Sequence, residues 1–238
     1  MRIEVEDFQG DPAKVADMEV PAVIVIDPGH GGTDSGAVGS DGTTFEKNLT
    51  LSYGLELQTE LRDQLDDLAP FHRVLITRSA DVFIDLAPRP AIARDAGADV
   101  FTSIHFNSAG ATARGTETFV ERLASEASPG NPGDNHNVDE DEGLATPVNT
   151  ETFDAVAASD QAANNRGVQR AGKLVTRDAF NGNVATYYPL RTCLIEVEFI
   201  SNAAALASIT GTNGDSIREA FAERVAGEIV TDIQEQPN

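Results

Sequence analysis

A run of four β-branched residues, Val23–Ile26, passes directly into the sequence DPGHGG. Runs of this kind are typical of strands in parallel sheets, which are buried on both faces. Pro28, Gly29 and the two glycines after the histidine end the strand in a sharp turn. Open α/β sheets carry their chemistry in loops at the carboxyl ends of strands, so His30 is a candidate functional residue, although a lone loop histidine is more often a surface residue.

Strands and helices alternate along the rest of the chain. The predicted strands cover 72–77, 99–104, 115–120 and 192–197, and the predicted helices follow Asn48, surround Ile92, run from near Thr152 past Arg170, and follow Ser216. The first of these helices is expected to bury Leu51, Leu55, Leu61, Leu65 and Leu68. The alternation predicts the α/β class, with a single-layer, mostly parallel, twisted sheet of about five to six strands and helices on both faces. We expect one catalytic domain over 22–238, preceded by an N-terminal arm or edge strand over 1–21.

Residues 123–150 differ in composition from their surroundings. No lysine or arginine occurs between Leu123 and Asn165, and the segment combines glycine and proline with the acidic run Asp139–Glu142. Sequences of this composition bury little apolar area and are typical of exposed loops. We therefore expect an acidic, Gly/Pro-rich loop insertion at about 123–150, in which 126–143 is dispensable for folding.

The overall charge excludes some classes of function. The chain has 39 acidic and 17 basic residues, a net charge of −22. Nucleic-acid binding needs a basic surface, so we expect no nucleic-acid partner. No apolar run is long enough to predict a membrane span, and the N-terminus lacks the apolar segment of a secretion signal. Either the protein is made without a signal, as a phage-type lysin is, or the signal is missing from this chain. The single cysteine, Cys193, excludes an internal disulfide.

Four side chains are candidates for chemistry: His30, Glu46, His105 and Glu196. Both histidines directly follow apolar strands, and Glu196 lies in the last predicted strand. Because strand ends at one edge of a parallel sheet converge, these residues can share one site. Two imidazoles and a carboxylate suit Zn²⁺ and leave a position for water. Each residue also has a plainer interpretation: His105 can cap a turn, Glu46 can begin a helix, and Glu196 can pair with Arg191.

Further motifs accompany these four residues in a fixed order. They are Asp34-x-Gly36-Ala37-x-Gly39, Thr77-Arg78-x-x-Asp81, Arg89, Ser103-Ile104-His105-Phe106-Asn107-Ser108, Gly115-Thr116-Glu117, Arg166-Gly167-Val168 and Leu194-Ile195-Glu196-Val197-x-Phe199-Ile200-Ser201-Asn202. Over roughly residues 22–233 the chain resembles the zinc-dependent N-acetylmuramoyl-L-alanine amidases of the type-3 amidase family. The resemblance implies one zinc ion per chain, held by His30, Glu46 and His105, with Glu196 as the catalytic acid and base. It also implies the reaction: hydrolysis of the amide between N-acetylmuramic acid and L-alanine in peptidoglycan.

Other residues near the predicted site are expected to support the ligands or contact substrate. They are Asp27, Asn107, Glu198 and Arg191. Glu198 stands where the family usually has a small residue. Since side chains alternate along a strand, Glu196 and Glu198 are expected to share a face, so that both can approach the metal and raise each other's pKa. The acid and base role is assigned to Glu196, whose spacing to Phe199-Ile200-Ser201-Asn202 matches the family, and Glu198 is expected at the rim, tuning substrate entry or pH dependence.

The resemblance also predicts the partner, the location and the oligomeric state of the protein. Peptidoglycan is the expected partner, the cell wall in the periplasm or outside the cell is the expected location, and the protein is expected to be a monomer. Members controlled by division machinery insert an autoinhibitory helix near 123–150, so a regulatory partner there is a further hypothesis.

Two alternative functions stay open. One is a zinc peptidase or carboxypeptidase acting on wall peptides, with Arg89, Arg114 or Arg191 binding a terminal carboxylate. The other is an inactive wall-binding module. A phage lysin, a host autolysin and a sporulation hydrolase all stay open.

Overall fold

The computed structural model describes residues 21–66, 72–127, 133, 135–177 and 190–235. The predicted N-terminal arm therefore lies outside the described residues, apart from Pro21. The strands are β1 (Val23–Pro28), β2 (Arg73–Ile76), β3 (Val100–Asn107), β4 (Thr116–Val120), β5 (Asn165–Arg170) and β6 (Arg191–Phe199). The helices are α1 (Glu46–Asp66), α2 (Pro88–Ala96), α3 (Val138–Ala157), α4 (Ala203–Thr210) and α5 (Gly214–Glu235). Within the described part of the chain, none of these helices combines the length and apolar content that crossing a membrane requires.

The six strands form one sheet in the order β2-β1-β3-β6-β4-β5. All neighbouring strands are parallel except β4 and β6, which are antiparallel. The prediction of a single, mostly parallel sheet is confirmed. The chain passes from β1 to β2 on one side of β1 and then to β3 on the other side, so a topological switch point lies between β1 and β3. Ligands of open α/β sheets bind in the crevice at the carboxyl ends of such a strand pair.

Side chains of the central strands alternate between two apolar cores, one on each face of the sheet. Ile24 and Ile26 of β1 belong to the larger core, which also contains residues of α1, α3 and α5. Val25, between them, belongs to the smaller core beneath α2. This burial on both faces explains the continuous β-branched run in β1 and confirms the prediction of helices on both sides.

Helix α1 buries only part of the set of leucines that its pattern predicts: Leu61 and Leu65 are buried, and Leu51 is half-buried. The buried positions include Tyr53, Leu57, Leu61 and Leu65, spaced four residues apart, whereas Leu55 is exposed. Leu68 lies outside the described residues. With this face toward the sheet, Glu46, the first residue of the helix, lies at the carboxyl end of the sheet, where β1 and β3 end.

The predicted acidic loop at 123–150 is wrong over its second half. Helix α3 begins at Val138 and packs against β4, β6 and α5. Leu144, Ala145 and Val148 are fully buried, because they recur at the spacing of one helix face. The acidic residues of the first turn lie where negative charge complements the positive end of the helix dipole.

Asp141 shows that this segment is part of the folded core. Its side chain is fully buried, and Oδ1 accepts a hydrogen bond from the backbone N–H of Thr192 at 2.6 Å. This contact argues against the expectation that 126–143 is dispensable for folding, because removing Asp141 would leave a buried β6 donor without its acceptor.

The predicted helix past Arg170 is also wrong beyond Ala157, where α3 ends. Residues Asn165–Arg170 form β5, parallel to β4 at the edge of the sheet. Most of its side chains are exposed, so this strand has no alternation of apolar and polar residues from which it could be recognised.

Replacing Leu144 with alanine tests the position of α3. Because Leu144 is fully buried, we expect the free energy of unfolding to fall by about 2–5 kcal/mol. Thr146→Ala, on the exposed face of the same helix, should change it by about 0.5 kcal/mol or less. Urea unfolding followed by circular dichroism measures both. Equal, small effects would place α3 outside the core.

Candidate active site

The loop after β1 presents His30 in the left-handed backbone region, at φ 60°. Arg78 donates hydrogen bonds to the carbonyl oxygens of Pro28 at 2.9 Å and Gly29 at 2.8 Å. Arg89 donates to those of Pro28 at 2.9 Å and His30 at 2.7 Å. A non-glycine residue in this region is strained, and the surrounding contacts must hold it there. The two buried guanidinium groups supply those contacts.

Asp27 lies fully buried beneath the same loop. Its carboxylate accepts hydrogen bonds from Thr77 Oγ1 at 2.6 Å, Arg89 Nη1 at 2.8 Å and Ser103 Oγ at 2.8 Å. With these three donors and no exposure, Asp27 faces the protein interior. Arg89, which also donates to the carbonyl oxygen of His30, links it to the loop.

The side chains of His30, Glu46 and His105 meet at the switch point between β1 and β3. They come from the loop after β1, the first residue of α1 and the end of β3. Glu46 Oε1 lies 3.0 Å from His30 Nε2 and 2.9 Å from His105 Nδ1. Each residue offers one ligand atom, and these atoms all lie within 4.8 Å of one another. Two imidazole nitrogens and a carboxylate oxygen are donors that suit zinc.

Hydrogen bonds from outside the cluster orient two of these side chains. His30 Nδ1 lies 2.8 Å from Asp34 Oδ2, which leaves Nε2 facing the cluster. Glu46 Oε2 accepts from Ala37 N at 2.8 Å, and Oε1 accepts from Phe106 N at 3.0 Å. Partners of this kind fix the orientation of metal-binding residues. Asp34 belongs to one of the sequence motifs but is given no role there, although its position four residues after His30 in a glycine-rich loop is a signal for one.

The cluster shifts the pKa values of its members. Burial alone raises the pKa of Glu46, but hydrogen bonds with His105 and His30 outweigh it and lower that pKa well below its usual range. Burial alone lowers the pKa of His30, and hydrogen bonds with Glu46 and Asp34 outweigh it and raise that pKa. Glu46 is therefore ionised at neutral pH, as a metal ligand must be.

His105 packs directly over the backbone of Gly29. A Cβ atom at Gly29 would lie 2.2 Å from Cε1 of the His105 ring, so a side chain there would displace the imidazole. The rings of His30 and His105 lie 4.8 Å apart between centroids and are nearly perpendicular, at 79°. The close approach of the two histidines thus requires glycine at position 29.

Glu196 lines a cavity of about 340 Å³ together with His30, Glu46 and His105. It lies on β6, beside His105 of β3 in the strand register. Its side chain is buried, and Oε2 has no hydrogen-bond partner among the described residues. Burial raises the pKa of Glu196 to about 7. A carboxyl group with that pKa can both accept and donate a proton near neutral pH.

Glu198 does not share the site with Glu196, and that prediction is wrong. Glu198 Oε1 accepts hydrogen bonds from the backbone N–H of Gly115 at 2.5 Å and Phe199 at 2.8 Å, in a fully buried position away from the cavity lining. A β-bulge after Glu196 in β6 interrupts the alternation on which the prediction depends. Burial, rather than repulsion between the two glutamates, is the main cause of the raised pKa of each.

Arg191 does not contact the site either. It begins β6, at the opposite end of the strand from Glu196, and its Nε donates to Asp232 Oδ2 at 2.6 Å. Both side chains of this ion pair are buried. The predicted role of Arg191 at the site is therefore wrong, and so is the alternative in which it pairs with Glu196.

The rest of the cavity wall is partly polar and partly apolar, the apolar part being Ala37, Leu86, Phe106, Val175 and Leu194. Asn107 lines it, and Asn107 Nδ2 donates to Glu117 Oε1 at 2.5 Å, while Arg166 Nε donates to Glu117 Oε2 at 2.7 Å. Lys173 also lines the cavity, with Nζ 4.2 Å from the centre of the Phe119 ring. The sequence analysis does not single out Lys173. Its only signal is that lysine occurs three times in this acidic chain.

Comparisons with known proteins identify the family. The profile of the Amidase_3 family, N-acetylmuramoyl-L-alanine amidase, matches residues 24–229. The chain belongs to this family. AmiC of Neisseria meningitidis serogroup B, an N-acetylmuramoyl-L-alanine amidase, is 33% identical over 233 residues, which cover 91% of this chain and 53% of that protein. This amidase-family chain thus spans about half the length of that relative.

Solved structures of N-acetylmuramoyl-L-alanine amidases have the same fold as this chain. The catalytic domain of CwlV, an N-acetylmuramoyl-L-alanine amidase from Bacillus (Paenibacillus) polymyxa var. colistinus, is 27% identical, with a TM-score of 0.68 over 90% of this chain and 99% of that domain. The N-acetylmuramoyl-L-alanine amidase from Clostridium difficile 630 has a TM-score of 0.69 over 91% of this chain and 98% of that one, at 23% identity. The α/β sheet with its helices is thus the amidase fold.

Substitutions of Glu198 test its structural role. Glu198→Ala leaves two buried backbone N–H groups without an acceptor, so we expect the free energy of unfolding to fall by about 2–4 kcal/mol. Glu198→Gln keeps an oxygen for both donors and should change it by about 1 kcal/mol or less. Urea unfolding measures the two variants. A fully stable Glu198→Ala protein would contradict this assignment.

Proposed function

We propose that this chain is a zinc-dependent amidase that hydrolyses the bond between N-acetylmuramic acid and L-alanine in peptidoglycan, with one zinc ion per chain. The observation that carries the proposal is the meeting of His30, Glu46, His105 and Glu196 at one cavity in a member of the amidase family. Its place of action would be the cell wall, in the periplasm or outside the cell. The monomeric state stays a prediction.

His30, Glu46 and His105 would hold the zinc ion. When bound, zinc supplies Lewis acidity, which polarises a carbonyl group and lowers the pKa of water. Three protein ligands are usual in catalytic zinc sites, which keep a position open for water or substrate. Asp34 would hold His30 with Nε2 toward the metal, because its carboxylate occupies the Nδ1 side of the ring.

Glu196 would transfer the proton. Its buried carboxyl group, with the pKa raised to about 7, can take a proton from the attacking water and return it to the amine that leaves as the amide breaks. Oε2 has no hydrogen-bond partner among the described residues, so it is free to meet that water. The amide carbon gains the hydroxyl oxygen and becomes a carboxylic acid, while the alanine nitrogen becomes a free amine.

The contacts of three arginines argue against the carboxypeptidase alternative. Arg89 is buried among carbonyl oxygens and Asp27, Arg114 forms an ion pair with Asp160, and Arg191 pairs with Asp232. None of these three guanidinium groups is available to grip a terminal carboxylate. An inactive binding module would have no need for the four converging side chains.

Regulation through residues 123–150 stays a prediction, but the second half of this segment is a helix and not the predicted loop. Helix α3 forms part of the core of the fold, and no described residue of α3 lines the cavity. A partner that acts on the described part of this segment would have to do so through the exposed surface of α3.

Glu196→Gln tests the proposed function on purified peptidoglycan. We expect the variant to keep its zinc, because Glu196 is not a ligand, and to lose about 10²–10⁴-fold in rate, because a glutamine cannot transfer the proton. Glu219→Gln, an exposed change on α5, is the matched control and should leave the rate unchanged.

Mass spectrometry of the products separates the alternatives. New N-terminal L-alanine amines together with free lactyl carboxylates identify an amidase. New carboxyl ends within the stem peptide would identify a peptidase, and no release by the zinc-loaded wild type would leave only a binding module.

A further inference from the structure

Three of the exposed apolar side chains in the described part of the molecule lie in one short segment between β2 and α2. Val82, Phe83 and Leu86 are 48%, 54% and 49% exposed, and together we call them the apolar rim. Single exposed apolar residues are common on protein surfaces, whereas a cluster beside a cavity indicates a contact surface.

The apolar rim borders the candidate active site. Leu86 lines the same cavity as His30 and Glu196. The backbone of the rim packs against the loop of His30 so closely that a Cβ atom at Gly31 would lie 2.2 Å from the carbonyl oxygen of Val82. Whatever enters the cavity from this side must pass the rim.

Hydrogen bonds hold the rim in place although its side chains are exposed. Asp81 accepts from the backbone N–H of Gly32 and from Lys47 Nζ, both at 2.7 Å. Arg89 donates from Nε and Nη2 to the carbonyl oxygen of Ile84, at 3.1 and 2.9 Å, and from Nη2 also to that of His30. The rim is thus fixed by the guanidinium group that fixes His30. A surface ordered in advance loses little conformational entropy when it binds a partner.

The two parts of the substrate differ in charge, and this difference indicates which of them suits the apolar rim. Under the proposed function the substrate has a neutral glycan strand and a stem peptide that carries carboxylates. Lys173, Asn107 and Ser108 are the polar members of the cavity lining outside the ligand cluster and suit the charged peptide, while the other lining side chains there are apolar. The apolar rim offers no cation, and the chain as a whole has a net charge of −22, so an uncharged ligand is favoured there. The C–H faces of sugar rings are uncharged and pack well against aromatic and aliphatic side chains.

We propose that Val82, Phe83 and Leu86 form the surface on which the glycan strand of peptidoglycan lies when the substrate is bound. This inference rests on the proposed function, since it assigns one part of that substrate to a place beside the cavity. Phe83 is the most exposed of the three and contributes the largest apolar face.

The test is a binding measurement that does not depend on catalysis. The double change Phe83→Gln with Leu86→Gln is introduced into the zinc-loaded Glu196→Gln protein, and Leu55→Gln, an equally polar change at an exposed leucine of α1, is the matched control. The glycan ligands are uncharged oligomers of N-acetylglucosamine, which present the sugar rings without the lactyl carboxylates of peptide-free strands, and free stem peptides are measured separately. We expect the double variant to bind the glycan oligomers about tenfold more weakly or worse, because two apolar contacts are lost, and the control to bind them as its parent does.

The peptide measurement completes the test. Unchanged affinity for stem peptides in the double variant supports the inference and shows that the site is still folded. Equal glycan affinity in the double variant and its parent would overturn the inference, as would a loss confined to stem peptides. The proposed function is judged separately, by the products that the wild-type enzyme releases, so a failure of one is distinguishable from a failure of the other.

Discussion

The buried ion pair between Arg89 and Asp27 is the contact on which the rest of the site depends. Charges are stable in a protein interior only when their remaining hydrogen-bonding groups are satisfied. Here the guanidinium group also holds the carbonyl oxygens of His30 and Ile84, while Asp27 is anchored to β3 through Ser103. One pair of side chains therefore joins the end of β1, the sheet and the segment before α2. The strained backbone of His30 is a consequence of the fold and not a property of its loop alone.

Hydrogen bonding gives two buried glutamates at the same cavity opposite pKa shifts. Glu46 receives hydrogen bonds from both histidines and from two backbone N–H groups, and its pKa falls far below the usual range. Glu196 has an oxygen with no such donor among the described residues, and burial raises its pKa to about 7. Two carboxyl groups whose environments separate their pKa values can take different roles in one reaction. The first suits a permanently charged ligand, and the second suits a group that exchanges protons.

The central strands and His30, His105 and Glu196 are predictable because their signals are local: apolar strand sequences that end in a histidine or contain a glutamate. Glu46 begins a helix, and only its place in the order of motifs points to it. The other predictions are wrong for physical reasons. Strand β5 is exposed at a sheet edge, and its sequence does not alternate between apolar and polar residues. In α3 the buried apolar residues are interspersed with acidic residues, so the sequence does not show an apolar helix face clearly. The role of Glu198 depends on a β-bulge, which the period-two rule does not anticipate. Arg191 lies at the wrong end of its strand, and Asp232, its partner, is 41 positions away.

Anomalous X-ray scattering at the zinc edge, from crystals grown with zinc, tests the central claim most directly. The account predicts one peak per chain, within about 2.0–2.2 Å of His30 Nε2, His105 Nδ1 and a carboxylate oxygen of Glu46, the ordinary zinc-ligand distances. Glu196 should line the same cavity without binding the ion. A zinc peak held by other residues, or no peak between the two histidines at saturating zinc, would contradict the account.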